Sequence, residues 1–179
     1  MIRLPEHFKS RNIVLIGFMA SGKTLTSREL ASRLGRERVS TDELIVKREG
    51  RAIADIFAKS GEPYFRQIER EVVADIAGQK GLVIDCGGGV AASEENFTAL
   101  KKNGISFYLS TTPESVLRRT KGKTDRPLLN VDDPLDKIKQ LLAQRDPHYR
   151  KADFIVDSNE DNIGKVVDDI LNILSQNRT

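Results

Sequence analysis

Residues 12–24 read N-I-V-L-I-G-F-M-A-S-G-K-T. The apolar run from Ile13 to Ile16 ends on Gly17, and a second glycine, Gly22, stands directly before Lys23 and Thr24. A short apolar run bounded by glycine predicts a buried strand over residues 12–17. Beyond it, residues 23–34 set Leu25, Leu30, Ala31 and Leu34 toward one side, which predicts a helix. Residues 17–24 fit G-x-x-x-x-G-K-[ST] in the strand–loop–helix context that gives this motif its meaning. Gly17 and Gly22 let the backbone curl so that amide N–H groups face a polyphosphate, and the helix start adds positive potential. Lys23 would reach the β- and γ-phosphates, and the Thr24 hydroxyl would ligate Mg²⁺. The nucleotide set is therefore Gly17, Ala20, Ser21, Gly22, Lys23, Thr24 and Leu25. A chance glycine turn with a solvated lysine is the competing reading, and it leaves the flanking strand and helix unexplained.

Outward from this stretch, apolar runs alternate with longer amphipathic ones. Strands are expected at 38–41, 81–86, 105–110 and 153–157. Helices are expected at 62–77, from Ser93, from Pro113, at 134–148 and at 162–174. The alternation predicts a three-layer α/β domain with a parallel sheet, spanning residues 1–179 as one unit. The chain has 179 residues, 31% charged and 39% hydrophobic, a globular balance. The 29 Lys and Arg against 26 Asp and Glu give a net charge of +3, too small to indicate nucleic-acid binding. One cysteine, Cys86, excludes an intramolecular disulfide and suits a reducing cytoplasm. The apolar run is far shorter than the ~20 residues a membrane span needs, and the basic and acidic N-terminus lacks a signal-peptide pattern.

A phosphate loop does not identify the phosphate acceptor. Asp42 follows the second strand, at the sheet edge where open α/β folds bind ligands, though a helix cap would explain it alone. Arg66 and Glu69 share a helix face, either as a surface ion pair or as an oriented guanidinium for a substrate carboxylate. Gly87, Gly88 and Gly89 end the third strand, as a flexible turn or as a close approach of ligand or backbone. Residues 118–126, R-R-T-K-G-K-T-D-R, hold five basic residues against one acid. Beside a phosphate loop that excess suggests a mobile lid, pivoting at Gly122, within about residues 114–130.

These strings together resemble the shikimate kinase family of P-loop small-molecule kinases. The resemblance is carried by G-F-M-A-S-G-K-T at 17–24, T-D-E-L-I at 41–45 and G-R-A-I-A-D-I-F at 50–57. It continues through G-E-P-Y-F-R-Q-I-E at 61–69, G-G-G at 87–89, R-P-L-L at 126–129 and R-D-P-H-Y at 145–149. It implies ATP-dependent phosphorylation of the 3-hydroxyl of shikimate, on the route to chorismate and the aromatic amino acids. It also implies a five-stranded sheet in the order 2-3-1-4-5, with the acid bound by about residues 42–70. Carried over by position, Asp42 orients or deprotonates the attacking hydroxyl. Arg66 and Arg145 clamp the carboxylate, Glu69 steadies Arg66, Gly88 offers its backbone, and Phe57 walls the acid site or fills core. Lys23 and Arg126 meet the transferring phosphate, and Arg119 packs on adenine. A monomer is expected, with no nucleic-acid or membrane partner.

Five positions depart from the family pattern. Residues 40–42 read Ser-Thr-Asp where the family usually has Asp-x-Asp, the first carboxylate holding Mg²⁺ through water. The third strand instead ends V-I-D-C-G-G-G, so Asp85 stands on the metal side, and an exchange of roles between Ser40 and Asp85 is expected. A cap of the glycine turn by Asp85 is the alternative. Ala20 replaces the more frequent glycine, which is tolerated if φ is negative there. Glu160 and Asp161 stand where many members carry basic residues beside adenine. A gluconate-type kinase on the same scaffold, and a nucleotide- or metabolite-sensing module without turnover, are the alternative functions.

Overall fold

The computed structural model describes residues 4–122 and 131–176. Strand β1, Asn12–Ile16, is buried along its whole length. A strand without a polar face is stable only when helices cover both sides of its sheet. β1 accordingly lies at the centre, between β3 (Val83–Asp85) and β4 (Gly104–Ser110). β2 (Arg38–Ser40) and β5 (Phe154–Asp157) flank these, all pairs are parallel, and the order is β2-β3-β1-β4-β5. This is the expected order.

Alternation along β1 divides its side chains between two cores. Ile13 and Leu15 join Leu30 of α2 (Lys23–Leu34) and Val167, Ile170 and Leu174 of α8 (Ile163–Gln176). Val14 and Ile16 join Val73 of α4 (Ile53–Ala77), Leu100 of α5 (Glu94–Asn103) and Ile138 of α7 (Pro134–Tyr149). Each such side chain contributes about 1.5–3 kcal/mol by leaving water. A third, smaller cluster, Ile45, Ile56, Phe65, Ile68 and Val72, joins α3 (Thr41–Glu49) to α4. It fixes α3 against α4. A short α1 (Glu6–Lys9) precedes β1, and α6 (Pro113–Thr120) follows β4.

Capping matches expectation where the signals are local. Ser93 accepts from the Asn96 N–H at the start of α5, and Thr112 does the same for Ser115 ahead of Pro113. The single helix expected between the second and third strands is instead two. α3 follows β2 directly, capped by Ser40, and α4 begins nine residues before Glu62. Only Thr41 and Ile45 of α3 are buried, so its apolar periodicity is thin. The backbone of α4 breaks at Gly61, where φ 79 and ψ 170 leave helical space and turn the chain. β2 and β3 are shorter than expected, because residues 81–82 and 86 lie outside β3 and Thr41 opens α3, whereas β4 begins one residue earlier, at Gly104. Leu25 is a further correction: it is 56% exposed and contributes nothing to the core. The first turn of α2 opens onto a cavity, so its apolar stripe begins only one turn later.

Candidate active site

The phosphate loop joins β1 to α2. Gly22 takes φ 89 immediately before the helix, a conformation that L-residues with a Cβ resist. The buried Lys23 ammonium donates to the carbonyls of Gly17 (3.0 Å) and Phe18 (2.8 Å). Ala20 overturns one expectation. Its φ is +57, not negative, and it is the non-glycine residue with positive φ among those described. Its carbonyl accepts a hydrogen bond from Arg119 Nη1 at 3.1 Å, a tie from α6 that holds the loop in this shape. A left-handed alanine costs about 1–2 kcal/mol, which the surrounding loop must offset.

The loop forms one wall of a cavity of about 550 Å³. Lys23, Thr24, Leu25, Asp42, Asp85, Gly87, Gly88 and Arg119 all line it. The phosphate loop, Asp42, the end of β3 with its glycines and Arg119, far apart in sequence, therefore converge, whereas Phe57, Arg66, Glu69 and Arg145 do not line this cavity.

Two of the three glycines after β3 each admit a charged group that a side chain would exclude, and the third lies in ordinary contact with another. A Cβ on Gly87 would overlap the Asp42 carboxylate, and one on Gly89 would overlap the Arg66 guanidinium. A Cβ on Gly88 would stand 3.5 Å from Arg145 Nη1. The glycine run is thus a backbone shelf against which one acid and two guanidinium groups rest. The sequence marked all three as a possible close approach, while the family resemblance gave a role to Gly88 alone. The Gly87 N–H donates to Thr41 Oγ1 at 2.8 Å, tying the shelf to the start of α3 and so to Asp42. Tyr149 donates to the Gly88 carbonyl at 2.6 Å and anchors the end of α7. That bond fixes Arg145 one turn earlier, where its guanidinium carbon lies 5.8 Å from the Phe18 ring centroid. Thr41 and Tyr149 were missed from the sequence, since a buried threonine or tyrosine has many other uses.

Glu69 is 1% exposed and accepts from Arg66 Nη1 with both oxygens, at 3.1 and 3.0 Å. Burial raises its pKa, opposed by the Arg66 charge and reinforced by the nearby Asp42 carboxylate. Burial also works against the charge of Arg66, yet Glu69 and Glu62 outweigh it and raise the guanidinium pKa. Arg66 is thus held by two carboxylates, the buried Glu69 and the exposed Glu62. Phe57 is 39% exposed, with its ring 4.6 Å from that of Phe65, so it is not core.

On the other side of the cavity, Arg119 donates to Asp161 (2.8 Å) and to the carbonyls of Ala20 and Glu160 (both 3.1 Å). The two acids that depart from the family pattern are thereby engaged: Asp161 by Arg119, and Glu160 by Lys165 at 3.1 Å. Cys86 is buried beside Asp85, and burial pushes its thiol pKa well up, as suits packing and not reactivity. Arg126 and the segment 123–130 of the expected lid lie outside the described residues.

Ser40 and Asp85 are directly paired across β2 and β3. In a parallel register the two side chains share a face of the sheet. Asp85 does not take the glycine-turn N–H of Gly87, which goes to Thr41; Asp85 Oδ2 accepts instead from Arg38 Nη2 at 2.9 Å. The buried Asp85 carboxylate and the Thr24 hydroxyl line the same cavity as Lys23. Among the described residues no three His, Cys, Asp or Glu side chains converge into a metal cage. A hydroxyl and one carboxylate nonetheless form a hard-oxygen donor set that fits Mg²⁺ carried in with phosphates.

A phosphate loop at the carboxyl end of the central strand, facing an acid on the neighbouring shelf, defines a P-loop phosphotransferase. The family model described as shikimate kinase matches residues 19–175. The shikimate kinase of Thermoanaerobacter pseudethanolicus is 41% identical over 161 residues, 90% of this chain and 94% of that protein. That of Thermodesulfovibrio yellowstonii is 46% identical over 148 residues, covering 83% and 86%. The structure of shikimate kinase from Acinetobacter baumannii in complex with shikimate superposes with a TM-score of 0.90, at 38% identity and 96% coverage of both chains. The chain belongs to the shikimate kinase family.

Proposed function

We propose that this chain transfers the γ-phosphoryl group of ATP to the 3-hydroxyl of shikimate. The observation that carries the proposal is the glycine shelf, which sets Asp42, Arg145 and Arg66 against three successive residues beside the phosphate loop. One acid and two guanidinium groups suit a ligand bearing both a hydroxyl and a carboxylate.

In this reading Arg66 and Arg145 bind the carboxylate of the acid, and Glu69 keeps Arg66 from turning away. Asp42 accepts a hydrogen bond from the attacking hydroxyl and takes its proton as the new oxygen–phosphorus bond forms, while the bond from the γ-phosphorus to the bridging oxygen breaks and ADP leaves. Lys23 leaves its loop carbonyls for the β- and γ-phosphates and neutralises developing charge. Arg126 adds a second positive charge there, and Arg119 flanks the base. Thr24 and Asp85 would hold Mg²⁺, which supplies further charge neutralisation across the phosphates. Asp85 serves in place of a carboxylate at Ser40, its cross-strand neighbour. The proposal extends to a monomer acting in the cytoplasm. Among the described residues no helix is long and apolar enough to cross a membrane.

The test is ADP release with shikimate, quinate and gluconate, each with and without Mg²⁺. Release that requires shikimate and Mg²⁺ is expected. Faster release with gluconate would favour a sugar-acid kinase, and nucleotide binding without any acceptor-dependent release would favour a sensing module.

A further inference from the structure

Arg38 opens β2, two residues before Ser40, so the two side chains share a face of the sheet. Its side chain is 13% exposed, and its guanidinium is engaged on every edge. Nε donates to Ser27 Oγ at 2.8 Å, Nη1 to both oxygens of Glu43 at 3.0 and 2.9 Å, and Nη2 to Asp85 Oδ2 at 2.9 Å. These partners belong to three different elements: α2, α3 and the end of β3. Ser27 Oγ in turn donates to the carbonyl of Thr24 at 3.0 Å, one turn back along α2. Glu43 follows Asp42 in the first turn of α3. A single fork therefore joins the turn that carries the metal-side hydroxyl, the metal-side carboxylate and the helix start that carries the acceptor-side acid.

Electrostatics require such a group. A carboxylate as buried as Asp85 is costly unless a cation pairs with it. An arginine guanidinium is not deprotonated in proteins, so the cation is permanent. A planar guanidinium presents its donors to the three elements in a fixed fork; an ammonium would act as a point charge.

We infer that Arg38 is the positioning residue of the metal side, holding Asp85 aimed into the nucleotide cavity and locking it in register with Thr24. The inference rests on the proposed binding of Mg²⁺–nucleotide in this cavity. It goes beyond that reading in assigning the geometry of the metal site to a residue that touches neither substrate nor metal.

The experiment measures ADP affinity by calorimetry, in EDTA and in excess Mg²⁺, for wild type, Arg38→Met, Asp85→Asn and the double variant. The readout is the ratio of the two dissociation constants, which a merely structural residue would leave alone. Removal of an outer-sphere partner should lower that Mg²⁺-dependent tightening by about tenfold or more. Asp85→Asn should lower it similarly, and the double variant should add nothing further. ADP affinity in EDTA should stay at the wild-type value for the two Arg38 single variants, and for Asp85→Asn and the double variant it is the reference against which their own ratio is taken. Arg38→Lys keeps the buried charge and hence the fold, and should lose about threefold or more of the tightening because it lacks the fork. An unchanged ratio in Arg38→Met or Arg38→Lys overturns the inference, as does a larger ratio, which would mean that Arg38 competes with the metal. Failure of wild type to bind ADP at all would instead overturn the proposed function.

Discussion

At the scale of single residues, the glycine shelf carries the most information about chemistry. A methyl group on Gly89 must displace the Arg66 guanidinium, which Glu69 holds by two hydrogen bonds. Gly89→Ala should therefore raise the KM for shikimate by about tenfold while leaving the KM for ATP unchanged, a loss of ground-state binding. Gly87→Ala displaces Asp42 instead, and should lower kcat by about 10²-fold with a smaller change in KM. Steady-state kinetics on the two variants check this split; equal effects on both constants in both variants would contradict it. Ala20 is legible in the opposite direction. Its letter alone suggested an ordinary φ, but the tie from Arg119 holds φ at +57. Ala20→Gly should relieve the strain and raise stability by about 0.5–1 kcal/mol net of the added unfolded-state entropy, read as a rise in Tm.

At the scale of elements, legibility followed the length and continuity of each apolar pattern. The β1–loop–α2 unit was read to the residue in its helix bounds because strand, loop and helix each carry their own signal. α3 and the first half of α4 were not read, because each buries one or two apolar side chains and Gly61 interrupts the period. The ends of β4 and β5 depend on a bond that no pattern reveals. Asp153 Oδ2 accepts from the N–H (2.8 Å) and Oγ (2.7 Å) of Ser106, and Lys101 pairs with Oδ1 at 2.8 Å. Burial alone would raise the Asp153 pKa, but these partners outweigh it and hold it below the ordinary 3.8. A depressed folded-state pKa stabilises above the unfolded value and is lost as pH falls through the folded one. Asp153→Asn should thus lower Tm at neutral pH, and the gap to wild type should close as the pH falls below 3.8. A gap that stays constant down to pH 2 would show that the charge contributes nothing.

At the scale of the whole molecule, the fold brings together what the sequence separates. Asp42, Arg66, the glycines and Arg145 span about a hundred positions, and only the parallel order of strands places them on one shelf beside the phosphate loop. Their residue types were readable through the family resemblance; their mutual supports were not. Arg38, Thr41 and Tyr149 act through other residues, and a support leaves no motif. The slight basic excess of the chain, averaged over its length, likewise looked uninformative until residues 118–126 were seen to hold five basic residues against one acid, of which Arg118 and Arg119 line the cavity beside the phosphate loop. The most direct test of the whole account is the product formed from shikimate and ATP with Mg²⁺, resolved by phosphorus–proton correlation NMR. The account predicts one phosphomonoester on the 3-oxygen of shikimate for each ADP released. ADP formation without a shikimate phosphoester, or a phosphate on another oxygen, would contradict it.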